Sequence, residues 1–356
     1  MDTMKNTHNL LTAVLLLFAG SFPLAAFAQG SLTPPGAPAP IMKSLDQIEA
    51  RTIVNSANTP GDGNNVYIIS QPGSYYLTGN LVAPLHLFGG TAKNGIEITA
   101  NNVTLDLNGF ALQGAAGNAG IFIPNGQTNI TVRNGTISGW AVNGVSSGGY
   151  ASVNQVFERL SVSACEMGIF LYGAGVVRDC NCYNNNSDGI YCGAGGICSG
   201  CTAKNNAGNG ITMGGGIVTA CTVQNNISRG IYLVPGTATG CLVEGNNQSG
   251  IYVDAPGSMV VGNTCIENNS SSASSEAGIY INDSNNRVED NHVTESGLAG
   301  IQVSPDYTLN IVIKNAVIGN GANNYIIPSG QIAGPLITTL GTITNANPWA
   351  NFSFNP

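Results

Sequence analysis

A Gly followed by Ile or Val recurs along most of the chain, and this repeat constrains the fold more than any other feature. The intervals between successive glycines run from 20 to 28 residues and tighten to 20 or 21 in the middle. Side chains alternate between the two faces of a strand, so a segment such as Gly189-Ile-Tyr-Cys predicts Ile and Cys inward and Tyr outward. The repeat glycines are Gly95, Gly120, Gly144, Gly168, Gly189, Gly210, Gly230, Gly250, Gly278 and Gly300.

Other repeat architectures do not fit this pattern. Gly and Asn at this density are unfavourable inside helices, and no apolar stripe of period 3.6 is present. The leucine-rich signature is absent, and propeller blades need about twice this period. The sequence therefore predicts an all-β fold, a right-handed single-stranded parallel β-helix of about ten coils. Each coil has about three short strands, and coils stack ~4.8 Å apart.

Asn and Cys residues also recur at fixed distances before the repeat glycines, that is, with the same phase. Asn residues lie four positions before successive glycines, and Cys residues lie nine positions before them, with Asn291 in the Cys position before Gly300. Residues of equal phase stack in a solenoid, so Asn amides can hydrogen-bond from coil to coil as a ladder. The two series are Asn185, Asn206, Asn226, Asn246 and Cys180, Cys201, Cys221, Cys241.

The nine cysteines are predicted to pack inside the solenoid as free thiols, because a free Cys behaves as a small apolar residue. One or two disulfides are the first alternative, since an exported protein can form them. A zinc cluster of Cys180, Cys182, Cys198 and Cys201 is the second, although layered inward positions do not suggest a tetrahedron.

The N-terminal residues predict export. Lys5, an apolar run from Leu10 to Ala19 and the small-residue site Ala26-Phe27-Ala28 are typical of a signal peptide cleaved after Ala28. An uncleaved N-terminal anchor is the alternative. No second stretch is apolar enough to span a membrane. We therefore expect a secreted, periplasmic or cell-surface protein, and we expect it to be a monomer.

The remaining boundaries follow from the repeat. Residues 29–65 are predicted to form a Pro-rich leader and an N-terminal cap with a short amphipathic helix over residues 41–50. Residues 66–320 are predicted to form the β-helix, and residues 321–356, with Trp349, a C-terminal cap and tail. Caps are expected because terminal coils otherwise expose the core and unpaired strand edges.

The charge balance narrows the choice of partners. Only 8% of the residues are charged, and the formal net charge is −8. This charge excludes nucleic acid as a partner, because few cations are present to neutralise phosphates. The same charge would repel a polyanionic glycan unless a metal ion bridged the two.

The segment Val103-Thr-Leu-Asp-Leu-Asn-Gly109 and the Asn-Asn-x(2–3)-Gly-Ile blocks between residues 184 and 251 carry a family resemblance. They resemble the right-handed parallel β-helix repeat proteins of the pectate-lyase-like superfamily, including NosD-type and sugar-hydrolase repeats. The likeness covers roughly residues 66–320. It implies a polysaccharide or cell-surface glycan as ligand and a concave outer face as the site. The catalytic signatures of polygalacturonase-type hydrolases are absent, and a pectate-lyase-type site is only weakly approximated.

An aromatic stripe is the candidate carbohydrate-binding site. The outward position of the repeated strand is often Phe or Tyr, and exposed aromatic rings bind the C–H faces of sugars. The alternative is that the rings stack on one another and stiffen the sheet. The stripe consists of Phe122, Phe170, Tyr191, Tyr232, Tyr252 and Tyr280.

Three aspartates form the candidate metal site. Asp254, Asp283 and Asp306 follow successive glycines by four, five and six residues, so they are expected to gather at one turn. Three carboxylates on neighbouring coils could hold Ca²⁺. Solvated turn residues are the alternative, because Asp is common in turns. The sequence requires no cofactor, and Ca²⁺ is the ion that these aspartates suggest.

The sequence favours an exported, carbohydrate-associated binding or surface-interaction module. A polysaccharide lyase or glycoside hydrolase is the second hypothesis, although no catalytic residue can be assigned. A purely structural or adhesive surface rod is the third. The aromatic stripe separates the first hypothesis from the third, and release of product from a polysaccharide would establish the second.

Overall fold

The repeated Gly-Ile segments stack as parallel strands of one twelve-stranded sheet. The computed structural model describes residues 50–83, 92–115, 117–269 and 276–355. Every one of these residues outside a strand lies in a turn, bend, bridge or irregular segment, so the described part of the chain contains no helix. Most of the predicted capping helix at residues 41–50, the signal peptide and the leader lie outside the described residues.

The described strands are short and follow one another at the spacing of the repeat. In chain order they are β1 (Thr52–Ile53), β2 (Asn65–Ile69), β3 (Gly73–Tyr76), β4 (Leu81–Val82), β5 (Asn94–Ile98), β6 (Val103–Asp106), β7 (Ala111–Gln113), β8 (Ala119–Ile123), β9 (Thr128–Ser138), β10 (Asn143–Ser147), β11 (Val153–Ser163), β12 (Met167–Leu171), β13 (Gly175–Arg178), β14 (Asn181–Tyr183), β15 (Ile190–Cys192), β16 (Ile197–Ser199), β17 (Thr202–Lys204), β18 (Ile211–Met213), β19 (Gly216–Thr219), β20 (Thr222–Gln224), β21 (Ile231–Leu233), β22 (Gly236–Thr239), β23 (Leu242–Glu244), β24 (Ile251–Val253), β25 (Met259–Val261), β26 (Thr264–Ile266), β27 (Ile279–Ile281), β28 (Arg287–Glu289), β29 (His292–Thr294), β30 (Ala299–Val303), β31 (Ile311–Ile313), β32 (Ala316–Ile318), β33 (Asn323–Ile326), β34 (Ile332–Ala333), β35 (Leu336–Ile337) and β36 (Asn351–Phe354).

Three stacks of strands form the faces of a right-handed parallel solenoid. Face 1 is the sheet that runs β2-β5-β8-β10-β12-β15-β18-β21-β24-β27-β30-β33. Face 2 follows face 1 in each coil and runs from β1 and β3 to β31 and β34, and face 3 runs from β4 and β7 to β32 and β36. The long strands β9 and β11 belong to faces 2 and 3 together. The twelve strands of face 1 bound eleven turns, slightly more than the predicted ten.

The inward side chains of face 1 form an unbroken apolar column, as predicted. The first residue after each repeat glycine pairs with its counterpart in the next coil and is completely buried. Stacking of β-branched side chains in register removes their surface from water, which is the main driving force for folding here. The column consists of Ile96, Ile121, Val145, Ile169, Ile190, Ile211, Ile231, Ile251, Ile279 and Ile301.

The nine cysteines are all buried and free, as the core-packing prediction required. In the register series, the thiols of Cys180 and Cys201 lie 3.5 Å from the carbonyl oxygens of Phe157 and Val177 on the neighbouring coil. Among the residues that the structure describes, no group of three or more His, Cys, Asp or Glu side chains is placed to hold a metal ion. The zinc alternative therefore finds no cluster here.

The predicted asparagine ladder is present at the corner between face 3 and face 1. The Asn206 amide nitrogen donates to Asn226 Oδ1 at 3.0 Å, and the Asn226 amide nitrogen donates to Asn246 Oδ1 at 2.8 Å. Each Oδ1 also accepts from the backbone N–H of the previous coil, for example Asn206 N to Asn226 Oδ1 at 3.0 Å. The ladder runs from Asn185 to Asn268, and all its members are buried. Buried amides are tolerated here because each is hydrogen-bonded.

The residue before each ladder asparagine turns the corner in a left-handed conformation. Asn184, Asn205 and Asn225 have φ between 53° and 55°, and Gly245 takes the same place with φ of 65°. Asn and Gly adopt this conformation more readily than other residues, so the paired Asn-Asn or Gly-Asn of the repeat sets the bend and its hydrogen bonds together.

Trp140 fills a space that four glycines leave open. A Cβ atom added to Gly114, Gly117, Gly95 or Gly120 would lie 2.6 to 2.9 Å from an atom of the Trp140 indole. The side chain is 1% exposed, and its Nε1 donates to the Leu112 carbonyl at 3.3 Å. Part of the glycine content of the early coils therefore serves packing rather than turn geometry.

No helix long and apolar enough to cross a membrane occurs among the residues searched, which are those that the structure describes.

Candidate glycan-binding face

The predicted aromatic stripe lies in register on the outer side of face 1. Phe170 pairs with Tyr191, Tyr232 pairs with Tyr252, and Tyr252 pairs with Tyr280 on adjacent strands. Ser146 interrupts the stripe between Phe122 and Phe170, and Thr212 interrupts it between Tyr191 and Tyr232. Phe122 therefore stands apart, next to Glu97 on the preceding coil.

Two further tyrosines join Phe170 and Tyr191 in what we call the N-terminal aromatic cluster. Tyr172 lies beside both, with ring centroids 5.7 Å from Phe170 and 6.4 Å from Tyr191. Tyr150 meets Tyr172 edge to face at 4.6 Å, and their hydroxyl oxygens are 3.0 Å apart. Tyr150 is 74% exposed, so this cluster presents a ring and several hydroxyl groups to solvent.

Two glycines border this cluster on successive coils. Gly193 and Gly214 follow β15 and β18 at the turn where Tyr172 follows β12. Gly193 is buried, and a Cβ atom on it would collide with the carbonyl oxygen of Tyr172. Gly214 is partly exposed, and a Cβ atom on it would make only ordinary contacts, with Tyr191 Oη at 3.4 Å. The hydroxyl of Tyr191 therefore borders a turn without side chains at Gly193 and Gly214, which we call the glycine strip.

The C-terminal aromatic cluster consists of Tyr232, Tyr252 and Tyr280 and is more closed. Tyr252 stacks on Tyr280 at 5.2 Å, while the Arg229 guanidinium lies 3.7 Å from the Tyr252 ring centroid. Tyr252 is only 8% exposed as a result. The stacking alternative describes this cluster well, because both faces of the central ring are covered.

Carboxylates border both clusters. The hydroxyl of Tyr232 donates to Asp254 Oδ2 at 2.6 Å, and burial together with this carboxylate raises the pKa of Tyr232 to about 12. Between the clusters, the Thr212 hydroxyl donates to Asp188 Oδ2 at 2.6 Å. Each carboxylate retains acceptor capacity for the hydroxyl groups of a ligand.

The three predicted calcium ligands do not converge. Asp254 accepts from Tyr232 and from the Asn282 amide at 2.9 Å. Asp283 accepts from the backbone N–H of Ser284 at 2.7 Å. Among the described residues, no group of three acidic, His or Cys side chains is placed to bind a metal ion and join them with Asp306. Calcium binding at these residues stays an untested prediction.

A family comparison agrees with this architecture. The model of the right-handed beta helix region matches residues 92–238 and 214–330. The chain belongs to the right-handed beta helix family. The predicted resemblance is therefore confirmed at the level of fold, and no curated protein sequence matches the chain.

Solved structures of other beta helix proteins are similar in fold. One is the A-module of the mannuronan C-5 epimerase AlgE4 from Azotobacter vinelandii, with a TM-score of 0.59, 12% identity and coverage of 80% of this chain and 87% of that one. Another is the Dettilon tailspike protein, with a TM-score of 0.53, 16% identity and coverage of 82% and 60%. This chain thus spans less than two thirds of the tailspike. The fold is shared by polysaccharide-acting enzymes and tailspikes.

The two carboxylates beside the aromatic clusters of face 1 are not paired as in a glycoside hydrolase. Asp188 precedes β15 and Asp254 follows β24, three coils further on, which places them ~14 Å apart along the axis alone. Glycosidase carboxylates lie about 5 to 9.5 Å apart. These two carboxylates therefore cannot act as such a pair.

Face 1 is also poorly suited to acidic sugars. Arg229 is the only cation within cation–π distance of a face 1 ring among the described residues. Its guanidinium is already paired with Glu276, at 2.7 Å between Nη2 and Oε1. A uronate would therefore meet Asp188 and Asp254 without an unpaired arginine to offset them.

Proposed function

We propose that this protein is an exported binding module for an extended, uncharged polysaccharide that lies along face 1. The observation that carries the proposal is the N-terminal aromatic cluster beside the glycine strip. There, Tyr150, Tyr172 and Tyr191 offer rings and hydroxyls next to a strip without side chains. Rings of this kind bind the apolar faces of sugars, and their hydroxyls add hydrogen bonds.

The repeat of the fold suits a polymeric ligand. Coils follow one another every ~4.8 Å, close to the length of one sugar in an extended chain, so successive coils can contact successive sugars. Asp188 and the free acceptor positions of Asp254 can accept hydrogen bonds from sugar hydroxyl groups. The same carboxylates, with Arg229 already paired, favour an uncharged glycan over a polyuronate.

The comparisons support a polysaccharide as the broad ligand class, but not its lack of charge. A mannuronan C-5 epimerase, whose polymer is a polyuronate, is among the similar folds, and a signal peptide would place this chain where glycans are met. Neither fixes the particular sugar, so the test needs a panel.

The experiment measures binding of the mature protein to neutral glycans (cellulose, xylan, a β-glucan) and to alginate and polygalacturonate, with Ca²⁺ and with chelator. We expect retention on at least one neutral polymer, and no retention on the polyuronates that depends on the face 1 residues. Tyr172→Ala with Tyr191→Ala should weaken it about tenfold, or ~1.4 kcal/mol. Gly214→Val should act similarly by filling the strip.

Tyr183→Ala is the matched control, because Tyr183 is a partly exposed aromatic residue on face 3. Equal losses in the control and the face 1 variants would contradict the proposed site. The absence of binding to every polymer would favour the structural rod. New chain ends released from any polymer would establish the lyase or hydrolase hypothesis instead.

A further inference from the structure

A cavity of about 340 Å³ lies on face 2, where the C-terminal residues return onto the sheet. Ile311 and Ile313 on β31 line it together with the segment from Ile332 to Pro335. Arg287, Asn347 and Trp349 also line it. Its volume falls in the range of small-molecule sites, which are mostly apolar with a few polar groups. The cavity lies on a different face from the aromatic clusters, so the proposed glycan site does not account for it.

The charges at the cavity are not balanced. Glu289 accepts from Arg287 Nε at 2.5 Å and from Lys314 Nζ at 2.8 Å. These hydrogen bonds lower the pKa of Glu289, which stays ionised. One carboxylate therefore faces two cations, and the group carries a net positive charge.

Arg287 has donors to spare. A guanidinium has five N–H donors in a planar fork, and the only described partner of the Arg287 side chain is Glu289 at Nε. Its terminal nitrogens thus have no hydrogen-bond partner among the residues that the structure describes. A carboxylate is the group that this fork binds best, through two parallel hydrogen bonds.

Trp349 supplies a flat apolar surface at the same cavity. Its side chain is 49% exposed, and Ile332 beside the cavity is 55% exposed. Lys314 Nζ lies 4.9 Å from the Trp349 ring, which links the aromatic residue to the charged group. An exposed Trp next to a free arginine fork accommodates a ring that bears an acid group.

We propose that this cavity binds a small ring-bearing carboxylate, with its acid group on the fork of Arg287 and its ring against Trp349. Two sources share this chemistry, a uronic acid sugar and an aromatic acid. The site is independent of face 1, and either site could bind without the other.

The two tryptophans make the test direct. Trp140 is 1% exposed and Trp349 is 49% exposed, so a neutral quencher such as acrylamide reaches mainly Trp349. Titration with glucuronate or benzoate should protect Trp349 from acrylamide, and glucose should not. Protection by glucuronate alone would identify a sugar acid, and protection by benzoate alone an aromatic acid. Protection by both would support the shared chemistry.

Variants assign the protection to the arginine. Arg287→Gln should weaken carboxylate binding at least tenfold, and Arg287→Lys, which keeps the charge but loses the fork, should weaken it several-fold. Lys204→Gln removes an exposed cation on face 3, outside the cavity, and should bind normally. An unchanged melting temperature and a shielded Trp140 confirm that each variant is folded. Failure of both acids to protect Trp349, equal protection by glucose, or full binding by folded Arg287→Gln would overturn the proposal.

Discussion

The hydroxyl of Tyr232 donates a hydrogen bond to the carboxylate of Asp254 on the next coil, with 2.6 Å between Oη and Oδ2. The same carboxylate accepts from the Asn282 amide one coil further. Asp254 thus ties three consecutive coils together on the outer side of face 1. The carboxylate that the sequence suggested as a calcium ligand is used here by two neighbouring side chains.

This contact predicts a loss of stability at high pH. Burial is the main cause that raises the pKa of Tyr232 and of Tyr252 to about 12, above the usual value of 10.0. The unfolded chain therefore releases these protons first, and the stabilisation that is complete below pH ~10 is lost as pH rises towards 12. We expect the melting temperature to fall over this window, and to fall less for Tyr232→Phe with Tyr252→Phe. Parallel pH profiles of the two proteins would refute the assignment.

The asparagine ladder predicts a large effect from one side chain. Asn226→Ala removes the acceptor of Asn206 N and of the Asn206 amide, both at 3.0 Å, inside the corner. Buried donors left without a partner cost about 1–3 kcal/mol each, so we expect the free energy of unfolding to drop by about 2–5 kcal/mol. Urea denaturation measures it.

Asn225→Gly is the matched control for this prediction. Asn225 has φ of 55°, and Gly occupies the same corner position at Gly245. The control should change the unfolding free energy by less than about 1 kcal/mol, because Gly adopts this conformation without strain. A similar loss in both variants would show that the corner backbone, rather than the ladder, is responsible.

The packing of Trp140 predicts that a single methyl group is harmful. A Cβ atom on Gly117 would lie 2.7 Å from Trp140 Cζ3 and 2.5 Å from the Lys93 carbonyl oxygen. Gly117→Ala should therefore destabilise the protein by about 1–3 kcal/mol. Gly79→Ala meets nothing within 4 Å and should be nearly neutral. The urea midpoints of the two variants give the comparison, and equal midpoints would contradict the packing argument.

The buried cysteines predict a protected set of thiols. All nine are buried and free, and burial raises the pKa of Cys165 to about 11 and also raises the pKa of Cys182 and of Cys265. The thiolate is the reactive form, so a disulfide reagent should not react with the native protein. In guanidinium it should titrate nine thiols. Fewer than nine after unfolding without reductant would restore the disulfide alternative.

The strand register could be predicted because residues at equivalent positions of successive repeats stack on one another in a solenoid. Asn185 and Asn206 share a phase, and they are hydrogen-bonded. The predicted turn count is slightly low because β2 and β33 carry Val66-Tyr67 and Asn324-Tyr325 in place of the Gly-Ile pair. These strands are recognisable only from the neighbours with which they pair.

The surface sites were less predictable because they depend on turns. The position of Tyr172 in the cluster could be predicted from the sequence. It lies two residues after Phe170, and residues two apart in an extended segment point to the same face. Tyr150 lies in an aperiodic turn and could not. The offsets of Asp254, Asp283 and Asp306 differ by one residue each, so similar spacing did not bring three carboxylates together. The cavity beside Trp349 forms where residues after β33 return to face 2. These residues lie outside the repeat, so the repeat pattern could not predict that contact.

The ladder also sets the unit in which this protein can change length. Removal of residues 206–225 would join Asn205 to Asn226, whose side chain would then accept from Asn185 in place of Asn206. The thiol of Cys201 would be followed in register by that of Cys241. A deletion of ten residues would remove about half a coil. A strand of one face would then be stacked against a corner of the next coil, and the register would be lost. The fold therefore has a reading frame of its own, about twenty residues long in its middle coils, and the longer coils, of up to 28 residues between successive glycines, keep the register because they return to the same phase at the next Gly.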